Sequence, residues 1–207
     1  GLIFVISAPS GTGKTTLIKR VIKELSGLKF SISYTTRPPR ANERNGEDYY
    51  FISQEEFLKM VERDEFLEWA EVMGNRYGTA KIDPDQLKSS GLDLILDIDP
   101  QGARKVLKNI KNAILIYILP PSLECLRERL KKRGLDSEET IKFRLANARN
   151  EMDEADWYHY VIVNNDIDHA VEKLKAIIIA ERCRNEKASI IEENKRKWEV
   201  DHGKNYG

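Results

Sequence analysis

The sequence predicts an α/β architecture, a parallel sheet flanked by helices, and three observations carry that prediction. Residues 2–6, 92–98 and 113–119 are largely apolar runs rich in Ile, Leu and Val, with a shorter one at 160–163. Such runs mark strands buried on both faces, as parallel strands are. Stretches with apolar residues three and four apart separate them, so strand alternates with helix. The chain, 207 residues and 41% hydrophobic, can bury one sizeable core with small appendages, and two large independent domains are not expected.

Residues 2–6 lack a basic flank and run straight into a glycine-rich loop, which makes them a strand and not a signal peptide. The chain opens on Gly1 without an initiator Met, which leaves room for a missing end. From Lys14 onward Leu17, Ile18, Val21, Ile22 and Leu25 recur at helical spacing, and Gly27 supplies a stop. Residues 101–110, 122–132, 137–154 and 167–184 repeat that spacing, with Gly134 interrupting a charge-rich stretch at 127–149. Between residues 31 and 79 the rhythm breaks. Short aromatic runs at 48–52 and 66–70 surround one helix at 54–62, the pattern of an inserted α+β lobe. No internal repeat or low-complexity tract occurs, and the tail after Asn185 is polar, with frayed last residues expected.

Thirty-four Lys plus Arg balance 34 Asp plus Glu. That balance argues against the basic field of a nucleic-acid polymer binder and against an acidic disordered tail. No apolar run approaches the roughly 18 residues of a membrane span, so no membrane partner is expected. Cys125 and Cys183 lie in charged, helix-like segments and suggest neither a disulfide framework nor metal spacing, which fits a reducing cytoplasm. His159, His169 and His202 have no motif around them and are assigned surface or helix-end roles.

The strongest local motif is Ala8-Pro-Ser-Gly-Thr-Gly-Lys-Thr15, which matches G-x-x-x-x-G-K-[ST] except that Ala8 replaces the first glycine. A strand precedes it and a helix follows. Gly11 and Gly13 let backbone N–H groups turn inward around phosphate oxygens, and the helix N-terminus adds partial positive charge. Lys14 can reach the β- and γ-phosphates, and the Thr15 hydroxyl can ligate Mg²⁺. Ala8, Pro9, Ser10, Gly11, Thr12, Gly13, Lys14, Thr15 and Thr16 are therefore the expected ATP-binding set, against the plainer reading of a strand–helix turn with a solvated lysine. A phosphate loop alone serves switches, motors, transporters and kinases alike.

Other residues narrow the choice. Downstream come Ser33-Tyr-Thr-Thr-Arg-Pro-Pro-Arg40, Glu43, Gly46-Glu-Asp-Tyr49, Phe66-Leu-Glu-Trp69, Gly74 and Tyr77-Gly-Thr79. With the phosphate loop, Leu96-Asp-Ile-Asp99, Gln101-Gly102, Arg129, Arg133-Gly134 and Val163-Asn164, this pattern resembles the guanylate kinase family in order and over nearly the whole chain. Tyr34 falls at a free position, and Asn165 stands where an acid is usual, a departure that touches only the adenine side. The resemblance implies a P-loop nucleoside monophosphate kinase-like fold. Its parts would be an α/β core (residues 1–32, 81–121 and 145–207), an inserted GMP-binding lobe (33–80) and a mobile lid (122–144). It implies transfer of the ATP γ-phosphoryl group to GMP, giving ADP and GDP, with Mg²⁺ as cofactor, dGMP as a further candidate acceptor, and a monomer or homodimer acting in purine nucleotide metabolism.

By the same resemblance Glu68 reads guanine, whose N1–H and 2-amino donors one carboxylate can accept together, while Ser33 and Thr79 supply hydroxyls to the base. Arg37 and Arg40 would grip the GMP phosphate by fork geometry, with Tyr49 and Tyr77 donating phenolic hydroxyls. Solvated arginines, lobe-core tyrosines and a water-facing Glu68 are the plain alternatives. Asp97 and Asp99 are expected on opposite faces of a strand end. Asp99 is the functional candidate, near GMP and near Mg²⁺ through a water, or else simply the N-cap of the next helix. Arg129, Arg133 and Arg144 resemble arginines that swing onto the transferring phosphoryl group, where charge spreads over equatorial oxygens; a solvated helix face is the alternative. Asn164 resembles a residue near the ATP adenine. No general base is required, because the acceptor phosphate is already ionised. Two rival functions remain: a catalytically inactive guanylate-kinase-like domain that binds phosphopeptides, which the complete phosphate loop disfavours, and a kinase for another acceptor, which Glu68 with Ser33 disfavours.

Overall fold

A computed structural model describes residues 1–72, 74–133 and 137–203. In chain order the elements are β1 (Ile3–Ser7), α1 (Lys14–Glu24), β2 (Leu28–Ser31), β3 (Tyr34–Thr35), β4 (Tyr50–Phe51), α2 (Gln54–Glu62), β5 (Phe66–Val72), β6 (Asn75–Ala80), α3 (Pro84–Ser90), β7 (Asp93–Asp97), α4 (Pro100–Asn109), β8 (Ile114–Leu119), α5 (Leu123–Arg133), α6 (Glu138–Asp153), a 3-10 turn (Glu154–Trp157), β9 (Tyr160–Val163) and α7 (Ile167–Gly203).

The apolar runs form one parallel sheet in the order β2-β7-β1-β8-β9. Successive side chains of a strand face opposite ways, and both faces are covered. Phe4 and Ile6 pack with Leu17, Ile18 and Val21 of α1 and with Val171, Leu174 and Ile178 of α7. Val5, between them, packs on the other face with Leu96, Tyr117, and Ala103 and Val106 of α4. Open sheets of this kind bind ligands outside the carboxyl ends of their strands. β1 and β7 are neighbours, with Ile6 opposite Asp97, so the phosphate loop and the Asp97–Asp99 segment emerge side by side.

A second sheet, ordered β4-β3-β6-β5, is built from the aromatic segment. β5 and β6 form an antiparallel pair whose register shifts between Phe66 and Glu68. Helix α2 closes this sheet. Ser53 caps it by accepting from the Glu56 N–H at 3.1 Å, and it buries Phe57 and Met60, with Phe57 stacked on Phe66 at 4.6 Å. A Cβ at Gly78 would meet the Phe66 ring at 2.8 Å, which explains a glycine inside that strand. Helices α5 and α6 pair through Leu126, Leu130, Ile141 and Ala148.

Several elements depart from expectation. Helix α3, capped by Asp83 and stopped by Gly91 at φ 64°, was not anticipated, because its seven residues carry little apolar periodicity. The α6 helix gives way at Asp153 to a 3-10 turn. Helix α7 does not end near residue 184 but continues to Gly203, since its polar half is rich in good helix formers with no breaker and carries i,i+4 pairs such as Glu192–Arg196. Residues 204–207 and the interruption assigned to Gly134 lie outside the described residues. Asp97 and Asp99 do not diverge to opposite faces. Residues two apart on a strand share a face, and both line the same cleft, Asp97 ending β7 and Asp99 capping α4.

One buried polar tie joins the sheet to α7. Asp93 accepts from the Leu2 N–H at 2.6 Å and from Arg182 Nε at 2.7 Å, and Arg182 also donates to the Ser26 carbonyl at 2.9 Å. Replacing Arg182 leaves a buried carboxylate short of its charge partner. Arg182→Met is expected to lower unfolding free energy by about 1–3 kcal/mol, read as a fall in the urea midpoint at unchanged slope.

Candidate active site

A cleft of about 860 Å³ runs from the carboxyl ends of β1 and β7 to the second sheet, with α5 and α6 on its flank. Its floor is the phosphate loop. Gly11 and Gly13 have φ of 92° and 96°, a region that L side chains rarely adopt. The Thr12 N–H and hydroxyl both donate to the Pro9 carbonyl, at 3.2 and 2.7 Å, which closes the turn. Gly13 then caps α1, so the helix N-terminus faces the cleft. All nine loop residues expected to bind ATP line it.

Lys14 projects across the loop. Its ammonium lies 2.5 Å from Asp97 Oδ1 and 3.5 Å from the Ile98 carbonyl. Asp99 caps α4 by accepting from the Gly102 N–H at 2.7 Å, so the capping alternative holds, and the carboxylate still borders the cleft.

The opposite wall carries the residues expected on the acceptor side. Ser33, Arg37, Arg40, Tyr49, Glu68 and Tyr77 all line it. Glu68 is 7% exposed, and its Oε1 accepts from the Thr79 hydroxyl at 2.7 Å. Thr79 itself sits behind Glu68, buried. Arg37 is gripped by Glu43, its Nη2 donating to both carboxylate oxygens at 2.9 Å, and its guanidinium lies 5.6 Å from the Tyr49 ring centroid. The Arg40 N–H donates to the same Glu43 at 2.8 Å. Burial, with Asp97 and Tyr77 adding, raises the Tyr49 phenol above its ordinary range, so it stays an O–H donor.

Of the three helical arginines, Arg129 and Arg144 reach the site. Arg129 donates to the Thr12 carbonyl at 3.0 Å and to the Asn164 carbonyl at 2.9 Å, and Arg144 donates to the Ser10 hydroxyl. Arg133 ends α5, and its side chain lies outside the described residues. Asn164 is not in the cleft: it is buried behind the loop, where its Nδ2 donates to the Thr12 carbonyl at 2.8 Å.

Phosphate-facing cations on one side, and a buried carboxylate with two arginines on the other, suit a site for two nucleotides. Comparison with known proteins agrees. The family model described as guanylate kinase matches residues 2–181. The guanylate kinase of Geobacter metallireducens is 52% identical over 184 residues, covering 89% of this chain and 91% of that protein. That of Rickettsia prowazekii is 46% identical over 185 residues, covering 89% and 94%. The chain belongs to the guanylate kinase family. The crystal structure of guanylate kinase from Anaplasma phagocytophilum superposes with a TM-score of 0.72 at 34% identity, over 87% of this chain and 86% of that one. The mixed fold, a parallel sheet flanked by helices with a P-loop, is the one expected for nucleoside monophosphate kinases.

Within this family frame a cleft residue, Asp97, and a residue that holds the cleft arginine Arg37, Glu43, escaped sequence reasoning. Asp97 was ranked below Asp99, yet it is the carboxylate that meets Lys14; correct strand parity would have placed both on the cleft side. Glu43 was quoted without a role and proves to be the anion that aligns Arg37. Its position three residues after Arg40 was the available signal.

Burial pushes the Glu68 carboxyl up to about 7; the Thr79 hydrogen bond opposes that, Asp99 adds to it and Lys105 offsets part. A folded-state value above the unfolded one means that the native protein holds the proton longer. Glu68 therefore lowers stability as pH rises from about 4.5 to about 7. Glu68→Gln should remove that cost, raising unfolding free energy by about 2–3 kcal/mol at pH 8 and by little at pH 4.5. Denaturant titrations at the two pH values check it.

Proposed function

We infer that the chain acts as a guanylate kinase, transferring the γ-phosphoryl group of ATP to GMP and giving ADP and GDP. The observation that carries this reading is the buried Glu68 carboxylate, anchored by Thr79 across the cleft from the phosphate loop. A buried acceptor is matched by the paired N1–H and 2-amino donors of guanine. A base edge without that pair would leave it unsatisfied, at about 1–3 kcal/mol. Ser33, which lines the same cleft, supplies a further hydroxyl to the base.

Arg37 and Arg40 take the GMP phosphate, with Tyr49 and Tyr77 as phenolic donors; Glu43 holds the Arg37 fork in place before the phosphate arrives. The phosphate loop, Lys14 and the N-terminus of α1 take the ATP phosphates. Arg144, and Arg133 at the end of α5, supply positive charge where it develops on the transferring group. Asn164 braces the loop from behind through the Thr12 carbonyl, and Arg129, on the cleft side, donates to the same carbonyl. The acceptor is ionised already, so the residues bind, align and exclude water without removing a proton.

The donor set fits Mg²⁺. Among the described residues no cluster of three or more His, Cys, Asp or Glu forms an all-protein cage, and Mg²⁺ at phosphate sites takes few protein ligands and keeps waters. The Thr15 hydroxyl would hold it directly, with Asp97 or Asp99 through a water, and when bound it neutralises phosphate charge. We assign residues 33–80 as the GMP-binding lobe, 122–144 as a lid that closes over the phosphates, and 1–32, 81–121 and 145–207 as the core. No helix among the described residues is long and apolar enough to cross a membrane, and we place the enzyme in the cytoplasm.

A coupled assay with ATP and GMP, AMP, CMP or UMP tests the reading: turnover is expected with GMP above the others, and none with GMP by folded protein would overturn it. Lys14→Ala should abolish turnover while GMP binding stays measurable by calorimetry. Glu68→Gln should weaken GMP binding by about 1–3 kcal/mol and flatten the preference for guanine.

A further inference from the structure

Helix α4 turns one face toward β5, and three of its residues bracket Glu68. Asn109 Nδ2 donates to the Leu67 carbonyl at 3.2 Å. Lys105 Nζ donates to the Trp69 carbonyl and lies 5.5 Å from the Trp69 ring centroid. A Cβ placed on Gly102 would come within 2.7 Å of Glu68 Oε2. Residues 102, 105 and 109 are spaced three and four apart, so they stand in one row along the helix.

The strand they hold needs holding. β5 is an edge of its sheet, and edge strands leave alternate backbone groups without a strand partner. Its register slips against β6 between Phe66 and Glu68, and such a bulge re-aims the neighbouring side chain. Packing holds it only in part: Leu67 packs against the cluster that contains Ala103 and Val106 of α4, but a cavity of about 370 Å³, whose lining includes Val61, Asp64, Glu68, Lys105 and Asn109, opens between α4 and the end of α2. Polar ties from α4 to the carbonyls before and after Glu68 add to that packing in fixing the stretch that carries the carboxylate. The Lys105 charge also favours the ionised carboxylate against its burial.

We propose that Lys105 and Asn109 are positioning residues for base recognition, holding the bulged edge of β5 so that both Glu68 oxygens face the guanine edge, while Gly102 leaves the carboxylate room. The proposal rests on Glu68 reading the base. Its measure is the ratio of kcat/KM for GMP to that for inosine monophosphate, which keeps N1–H but lacks the 2-amino donor. Asn109→Ala and Lys105→Met are expected to raise KM for GMP about tenfold and to shrink the ratio, with KM for ATP unchanged and Lys105→Arg retaining most of the wild-type ratio. In a Glu68→Gln background the same substitutions should shrink the ratio no further, because residues acting through one group are non-additive. A wild-type ratio in both variants, or an equal further loss in the Glu68→Gln background, would overturn the proposal. Glu68→Gln with an undiminished ratio would overturn the reading of Glu68 itself and the proposal with it. Should either truncation fail to fold, Gly102→Ala keeps the test readable: it puts the best helix former at a helical position, and an undiminished ratio there counts against the proposal equally.

Discussion

The pairing of β1 with β7 is the constraint on which the rest of the site depends. Their register sets Ile6 beside Asp97, so the loop leaving one strand and the acidic segment leaving the other start from adjacent points. The 2.5 Å contact between Lys14 and Asp97 follows from that adjacency. So does the placement of α4, whose N-terminus is tied to Asp99 and whose side chains then reach β5 of the second sheet. A slip of one residue in this pairing would turn Val5 and Phe4 to the wrong faces and carry Asp97 away from the loop together. The apolar core and the polar cleft are thus two readouts of one register.

Four cations at the cleft already have oxygen partners. Lys14 holds Asp97, Arg37 holds Glu43, Arg129 holds two carbonyls and Arg144 holds the Ser10 hydroxyl. Partly buried charges left without partners would be costly, and the partners also fix the direction of each fork. A substrate phosphate therefore meets side chains that are aimed, and it exchanges for or shares an existing oxygen contact. Lys14 and Arg37 hold acids whereas Arg129 and Arg144 hold neutral oxygens, a local excess of positive charge that the chain's balance of 34 basic against 34 acidic residues does not reveal.

Much of this was legible in the sequence where a residue type has one physical use. Gly11 and Gly13 mark a loop that requires positive φ, and the both-face apolar runs named four of the five parallel strands explicitly. The two-residue strand β3 was hidden inside the Ser33–Arg40 motif, because it owes its pairing to β6 and β4 and not to any period of its own. Helix α3 and the polar half of α7 were missed for a related reason: exposed helices carry caps and propensity but no apolar stripe. Asn164 is a different case. Its motif placed it near the nucleotide, but burial behind Thr12 makes it a brace of the loop in this geometry. Distances across 152 positions of chain have no local signature.

The position of Glu68 shows how the fold accommodates a function that opposes it. A carboxylate buried among Thr79, Asp99 and Gly102 favours its proton, whereas a bidentate acceptor for two base donors must be ionised. Two devices narrow that conflict. The Thr79 hydroxyl donates to one oxygen, and Lys105 on α4, tied to the Trp69 carbonyl, lends positive charge from outside the cleft. A cation placed inside the cleft would lower the carboxyl further, but it would also occupy the acceptor face on which recognition depends. Tying the charge to the carbonyl of the next residue, Trp69, leaves that face open. If Glu68 reads the base as proposed, the arrival of two fixed donors would favour the ionised form that burial opposes, and would couple base recognition to carboxylate ionisation.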